Sequence, residues 1–372
     1  MKVLVDGTAF ENRHQRGIQR YFQEVLGRLS SRHQITIWTE CPPQADLPAG
    51  CAQLGPDLAR KPRRWNLALR ARRLMLRRTR WAGQPRHDVF FSSYYTSSPH
   101  PGLPEVVVVH DMIHEQFVET HQDAEDVIEQ KRQAILNART CIAISDVTAS
   151  ELTAFYPDVA GRVHTIHHGV DHLVAAARRA HGQGTQSSPL GRYVLFVGER
   201  RSYKNFTAIL EAMGTRKWPE EVRLAVVGKP FTAGEQLLLE KMRVRDRIID
   251  AGRVSDAELA RWYGGAVGFL FPSLAEGFGF PSLEAQCLST PVACSDIPIF
   301  REVCGDSALY FDPYSPESIA QSVNCLLKGA VRQSLIERGK RNVERYSWDR
   351  CAAETERVLL AAAEQGTTEA FQ

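Results

Sequence analysis

Two carboxylates with seven residues between them lie in Phe271-Pro272-Ser273-Leu274-Ala275-Glu276-Gly277-Phe278-Gly279-Phe280-Pro281-Ser282-Leu283-Glu284-Ala285. An apolar strand pattern ends at Phe271, a loop with two glycines follows, and Pro281 favours the start of a helix. Such a loop and helix N-terminus present backbone N–H groups and a positive dipole end to an anion. Gly277 and Gly279 would let the backbone approach a phosphate closely. Glu284 is expected in the first helical turn and Glu276 in the loop before it, so both carboxylates can face one ligand. A bare Glu-x7-Glu spacing is common by chance. The strand, glycine loop and proline-started helix give it meaning, against the plain alternative of a β–α turn with capping glutamates.

A second stretch, Gly198-Glu199-Arg200-Arg201-Ser202-Tyr203-Lys204-Asn205, follows another strand pattern. Two phosphates held without a metal need cations, and an Arg/Lys pair supplies them. Basic residues at strand ends are usually solvated, but here they accompany the glutamate loop. Either Arg200 or Arg201 could face inward. His110-Asp111 ends the Val106–Val109 run, and Gly252-Arg253-Val254-Ser255 ends another strand pattern.

The elements that must position these residues read as alternating strands and helices. Strands are expected near Val3–Asp6, Ile35–Trp38, Asp88–Phe91, Val106–Val109, Cys141–Ile144 and Val163–Ile166. After the turn-rich stretch His181–Pro189 they resume near Tyr193–Val197, Val222–Val227, Ile248–Ala251, Val267–Phe271, Pro291–Cys294 and Ala308–Phe311. Val106-Val107-Val108-Val109 lacks polar alternation, as a strand buried on both faces must. The fold class is therefore α/β, with two doubly wound, Rossmann-like domains and a ligand bound between them at the strand carboxyl ends. The expected boundaries are 1–175, a linker at 176–190, 191–346, and a terminal helix with a frayed tail at 347–372.

The chain has 372 residues, 43% hydrophobic and 24% charged. At about 150 residues per domain, that length suits two soluble domains. A net charge of +3 is too small to imply a nucleic-acid partner. No run of eighteen apolar residues suggests a membrane span. The N-terminus enters a strand pattern at once, unlike a signal peptide. None of the eight cysteines forms a C-x-x-C pair, and no His/Cys cluster has zinc spacing. A reducing cytoplasm is expected. One segment stands apart: Arg60–Arg80 holds ten Lys/Arg and no acid, with Trp65, Leu67, Leu69, Leu74, Met75 and Leu76 interleaved. It reads either as a helix on an anionic membrane surface at the inner face of the plasma membrane, or as a packed helix with a solvated basic face.

These motifs together resemble the retaining nucleotide-sugar glycosyltransferases of family 4, which have the GT-B fold: two Rossmann-like domains facing across a cleft. Asp6-Gly7-Thr8 and the glycine loop Arg16-Gly17-Ile18 look like the start of the family's acceptor domain, and Ser145-Asp146 and His168-Gly169-Val170-Asp171 like its later landmarks. The resemblance spans nearly the whole chain. It implies that Arg200 or Arg201 and Lys204 clamp the donor diphosphate, while Gly277, Phe278 and Gly279 supply backbone donors. It also implies that Glu284 holds the ribose, Glu276 and His110 contact the transferred sugar, and the backbone near Arg253 and Val254 reads the nucleobase. Gly17 is counted with the donor-binding residues. Transfer with retention and without a cofactor or metal follows from the same resemblance, and no Asp-x-Asp metal motif lies near the donor site. The Tyr203-Lys204-Asn205 style of loop resembles mannosyl- and rhamnosyltransferases, making GDP-mannose the first donor to test. A glycan or lipid-linked acceptor of a bacterial surface polysaccharide is expected.

The chain departs from the family in two places. Ser289 replaces the common glycine before Thr290-Pro291-Val292, read here as a local packing difference, and Arg301-Glu302-Val303 stands where Pro-Glu-Val is usual. Three other functions use similar parts. A glycoside hydrolase also needs two carboxylates but has no use for a phosphate cradle. A GT-B sugar-nucleotide epimerase would convert donor without acceptor. A non-catalytic nucleotide-sugar-binding protein would bind donor and transfer nothing.

Overall fold

The computed structural model describes residues 1–11, 16–39, 41, 43–54, 86–100, 102–120, 124–171 and 191–369. The basic segment Arg60–Arg80 and the 176–190 linker lie outside the described residues. The chain divides into two units: Met1–His168 with Trp348–Gln372, and Gly169–Ser347.

In the first unit, β1 (Lys2–Asp6), β2 (Gln34–Trp38), β3 (Ala52–Leu54), β4 (Val89–Ser92), β5 (Glu105–Val109), β6 (Thr140–Ala143) and β7 (Val163–Thr165) form one sheet. Its order is β3-β2-β1-β4-β5-β6-β7, and every pairing is parallel. Val106 to Val109 are all buried, as their unalternating sequence requires. All six strands expected in this half form. The seventh, β3, is a three-residue edge strand, Ala-Gln-Leu, too short and too exposed to carry a periodic signal. Around the sheet lie α1 (Thr8–Glu11), α2 (Arg16–Leu29), α3 (Ile113–Gln116), α4 (Ala124–Asn137) and α5 (Asp146–Phe155). Tyr21, Phe22, Val25, Leu26 and Leu29 of α2 are fully buried. Their spacing makes a single apolar stripe.

The second unit holds β8 (Tyr193–Val197), β9 (Arg223–Val227), β10 (Ile248–Gly252), β11 (Gly268–Phe271), β12 (Val292–Ser295) and β13 (Ala308–Phe311). The order is β10-β9-β8-β11-β12-β13, again parallel throughout. Its helices are α6 (Phe206–Gly214), α7 (Ala233–Lys241), α8 (Asp256–Gly265), α9 (Phe280–Cys287), α10 (Pro298–Cys304), α11 (Pro316–Leu326) and α12 (Gly329–Val343). Phe196, Ile209, Trp218, Leu224, Leu270 and Val323 centre its core. Capping boxes, Thr232 with Glu235 and Ser255 with Glu258, start α7 and α8.

The last helix, α13 (Trp348–Glu369), belongs to the first unit. Trp348 is buried against the Tyr21 and His168 rings, and Arg28 Nε donates to Asp349 Oδ1 at 2.6 Å. In each sheet the strand order reverses once, at β1/β4 and at β8/β11. Connections leave such a point in opposite directions, which opens a crevice at the strand carboxyl ends.

Candidate functional site

The reversal point β8/β11 brings the two chemistry-bearing loops of the second unit together. The loop after β8 forms a single 3-10 turn, Ser202–Lys204, ending at Asn205. Asn205 is left-handed, φ 52°, a conformation asparagine tolerates better than most residues, and its Nδ2 donates to the Pro313 carbonyl at 2.9 Å. That pair fixes the end of the turn and with it Lys204. Leu274 N donates to the Tyr203 carbonyl at 2.7 Å, lacing the loop after β11 to the loop after β8. Lys204 Nζ then donates to Glu276 Oε1 at 2.6 Å, with both side chains largely covered.

Gly279 is the N-cap of α9 at φ +87°, and a Cβ there would lie 3.0 Å from Phe300 Cε1. Both the conformation and the close approach call for glycine. Phe278 points its ring into packing with Phe280 and Tyr346, so its contribution to a ligand is limited to backbone. Helix α9 begins at Phe280 with Pro281 second, so Glu284 is the fifth helical residue. The first-turn expectation for Glu284 is corrected by one residue: glycine caps the helix one position earlier than the proline suggested. Tyr263 Oη donates to Glu284 Oε2 at 3.1 Å.

The two arginines have different surroundings. The Arg200 side chain is 4% exposed; its Nε and Nη2 donate to Glu235, and its Nη1 and Nη2 to the carbonyls of Lys229 and Pro230. Its guanidinium also lies over the Phe231 ring at 4.2 Å. Arg201 is 50% exposed and donates to Glu199 Oε2 at 2.9 Å, while Lys229 Nζ reaches Glu199 Oε1 at 2.6 Å. Burial raises the Glu199 carboxyl, but its bonds to Lys229 and Arg201 outweigh that and hold it below its ordinary value. Arg253 is exposed beyond Gly252 at the carboxyl end of β10, with Val254 leading to the Ser255 cap.

The two departures from the family also find physical reasons. Ser289 has φ +58° just past the end of α9, the position where helices favour glycine. It is thus a backbone matter rather than the packing difference expected from sequence. Arg301 makes a bidentate bridge to Asp296, 2.7 Å on both bonds, and lies 3.7 Å from the centre of the Tyr310 ring.

In the first unit, β5 delivers His110 to the carboxyl edge of the sheet, buried, with no hydrogen-bond partner on Nε2. Its backbone N–H donates to Tyr95 Oη at 3.4 Å, and the His168 ring lies 6.2 Å away. Burial pushes the His110 imidazole down to about 4, with Lys131 adding to the fall and Asp111 opposing it. Beneath, fully buried Lys131 donates to the Asp111 carbonyl at 3.0 Å and to Glu115 Oε2 at 2.7 Å. Asp6, at the end of β1, accepts from Ser93 Oγ at 2.8 Å across the β1/β4 reversal. Ser145 caps α5, accepting from Thr148 N. Gly17 is the second residue of α2 rather than part of a loop, a correction due to the helix starting at Arg16.

Lys131, Glu115, Glu199, Lys229 and Tyr263 were not singled out by the sequence. A lone Lys in a helical pattern gives no sign that it will be buried. The Tyr in Trp262-Tyr263 carries no spacing signal.

The family described as "Glycosyltransferase Family 4" matches residues 15–172, and "Glycosyl transferases group 1" matches residues 178–342. The chain is 27% identical over 309 residues to the O-antigen chain mannosyltransferase B of Escherichia coli, covering 79% of this chain and 80% of that one. It is 30% identical over 159 residues to the O-antigen chain mannosyltransferase RfbU of Salmonella typhimurium, covering 42% and 44%. Among solved structures, WaaG, a glycosyltransferase involved in lipopolysaccharide biosynthesis, superimposes with a TM-score of 0.69 at 16% identity, covering 96% of this chain and 99% of that one. That likeness is one of fold.

Proposed function

The chain belongs to the family 4 glycosyltransferases of GT-B fold, and from that premise we propose a retaining, metal-independent hexosyltransferase that uses a nucleotide-diphosphate sugar, GDP-mannose first. Its acceptor is a lipid-linked or saccharide precursor of a bacterial surface polysaccharide. The names of the O-antigen mannosyltransferases it resembles support this substrate class. The observation that carries the reading is the Lys204–Glu276 contact, which joins a basic loop to a carboxylate loop at the β8/β11 reversal.

The chemistry follows from charge. When the bond from the anomeric carbon to the diphosphate breaks, negative charge grows on the leaving phosphate. Lys204, Arg201 and the backbone at Gly277–Gly279 stabilise it, and each donor aimed at such developing charge is worth about 2.7–4 kcal/mol of barrier. Arg200, committed to Glu235, holds the loop that carries the other two. Glu276 orients the sugar, Glu284 holds the ribose hydroxyls, and the backbone near Arg253 and Val254 meets the base. His110, neutral in its buried setting, offers a hydrogen bond to the transferred sugar.

The test is a panel of GDP-, UDP- and dTDP-sugars read by thermal stabilisation, since a bound donor raises stability as RT ln(1 + [L]/Kd). Transfer of mannose from GDP-mannose to a polyprenyl-diphosphate saccharide should follow, undiminished by EDTA and with the α configuration kept in the product by NMR. An inverted product, a requirement for metal, or stabilisation by none of the panel would overturn the proposal. The Arg60–Arg80 segment, which we propose docks on anionic lipid, is tested separately by vesicle co-sedimentation. Binding unchanged when Arg72, Arg73, Arg77 and Arg78 become Glu would remove it.

No described helix is long and apolar enough to cross a membrane.

A further inference from the structure

Tyr263 lies in the last turn of α8 and is 0% exposed. Its backbone carbonyl accepts from Thr290 Oγ1 at 2.8 Å, and its ring meets Phe269 of β11 edge-on at 5.5 Å. Held at both ends, the side chain cannot change rotamer without opening the core. Its single hydroxyl proton has two acceptors within reach: Glu284 Oε2 at 3.1 Å and the Pro281 carbonyl at 3.3 Å. The ionised oxygen is the stronger acceptor. A buried tyrosine with no such partner would be replaceable by phenylalanine without loss, so the hydroxyl is explained by what it holds.

We propose that Tyr263 is a positioning residue for the donor ribose: its buried hydroxyl fixes the rotation of the Glu284 carboxylate so that this carboxylate meets the ribose diol in one geometry. The inference rests on the reading that Glu284 holds the ribose. A glutamate side chain on a helix otherwise keeps several rotamers, and freezing one before binding removes that entropy from the binding step. Burial, and after it the nearby Glu284 charge, raise the Tyr263 phenol well above its ordinary value, so it remains a donor at every working pH. Specificity for a complete ribose thus comes from a residue that touches no part of the donor.

The probes are GDP and 2′,3′-dideoxy-GDP, with UDP and 2′,3′-dideoxy-UDP in parallel, titrated calorimetrically into wild type, Tyr263→Phe and Glu284→Ala. Wild type should prefer the ribonucleotide at least tenfold, by the magnitude of a hydrogen bond to a charged group. Glu284→Ala should abolish the preference. Tyr263→Phe should weaken ribonucleotide binding about three- to tenfold and leave the dideoxy nucleotide within twofold. No preference in wild type overturns the Glu284 reading, and the proposal with it. A preference lost in Glu284→Ala but kept in Tyr263→Phe overturns the proposal alone, as does equal weakening of both nucleotides, the mark of a purely structural tyrosine. Should Tyr263→Phe not fold, a crystal structure of wild type with GDP decides instead. The Tyr263 hydroxyl must stay bonded to the carboxylate that holds the ribose; a Glu284 that leaves Tyr263 to reach it overturns the proposal.

Discussion

Lys204 and Glu276 are 72 residues apart in sequence and 2.6 Å apart in space, joined as an ion pair across the loops that follow β8 and β11. Each therefore holds the other in place before any donor arrives. Truncating Lys204 removes a cation and also leaves a mostly covered carboxylate without its partner. Lys204→Ala should lower kcat/KM by about two orders of magnitude or more, with the fold retained. With Glu276 orienting the anomeric carbon, as proposed, Glu276→Ala should mainly lower kcat. The double variant should be no more than about threefold worse than the worse single one, since neighbours acting as a unit are not additive. Independent, multiplicative losses would show that the pair is incidental.

Glu284 contrasts with Glu276. Ribose contacts are similar in ground and transition states, so on the proposed ribose role Glu284→Ala should chiefly raise the donor KM. Full kinetics at saturating acceptor separate the two carboxylates, and reversed effects would exchange their roles.

Arg200 and Arg201 are adjacent in sequence but should fail differently. Arg200→Ala strips Glu235 and two carbonyls of their donor and uncovers Phe231, and should cost about 1–3 kcal/mol of stability. Arg201→Ala should leave the urea midpoint almost unchanged while lowering kcat/KM at least tenfold. A stable, inactive Arg200→Ala with an active Arg201→Ala would invert the assignment.

The side chains of Lys131 and Glu115, 0% and 3% exposed, form a buried ion pair 2.7 Å long beneath Asp111. Lys131→Met leaves an uncompensated buried carboxylate and should destabilise the protein by about 3–5 kcal/mol. Adding Glu115→Leu should restore most of the loss. Chemical denaturation of the single and double variants checks this; equal instability in both would mean that packing, not charge, dominates there.

Ser289, at φ +58°, occupies a conformation that glycine adopts without strain. Ser289→Gly should stabilise the protein by up to about 1 kcal/mol, the relief of a left-handed non-glycine residue less the added freedom of the unfolded chain. A drop in Tm would mean that the hydroxyl matters more than the backbone.

His110 and His168 supply a pH dependence. Both are buried and both have imidazole pKa values lowered by burial first; His110 falls from 6.5 to about 4. Facing His110 are Asp111, Lys131, His168 and the Tyr21 ring. Between those two values the unfolded chain binds more protons than the native one, so this contribution is fully present above about pH 6.5. It is lost as pH falls toward about 4. Urea midpoints of wild type at pH 7.5, 6 and 5 should decline, and His110→Gln should flatten the decline. Parallel profiles would assign the acid sensitivity elsewhere.

Much of this molecule was legible in its sequence for a local reason. Parallel strands covered on both faces need unbroken β-branched and aromatic runs, and Val106–Val109 or Phe269–Phe271 cannot be mistaken for anything soluble and exposed. Glycine and proline punctuate the loops, so Gly279 and Pro281 marked the start of α9 to within a residue. The residue types needed to meet phosphates and hydroxyls stood in the same short stretches. What the sequence could not determine depends on partners far along the chain. Adjacent arginines differ only because Glu235, in the first turn of α7, and the Pro230 carbonyl of the β9–α7 connection take one of them. Lys131 is buried because Glu115, from a different helix, neutralises it. The hydroxyl of Tyr263 matters because α8 and α9 pack so that it meets Glu284. Periodicity reports which face of an element is covered; only the packed structure decides which side chain on another element does the covering.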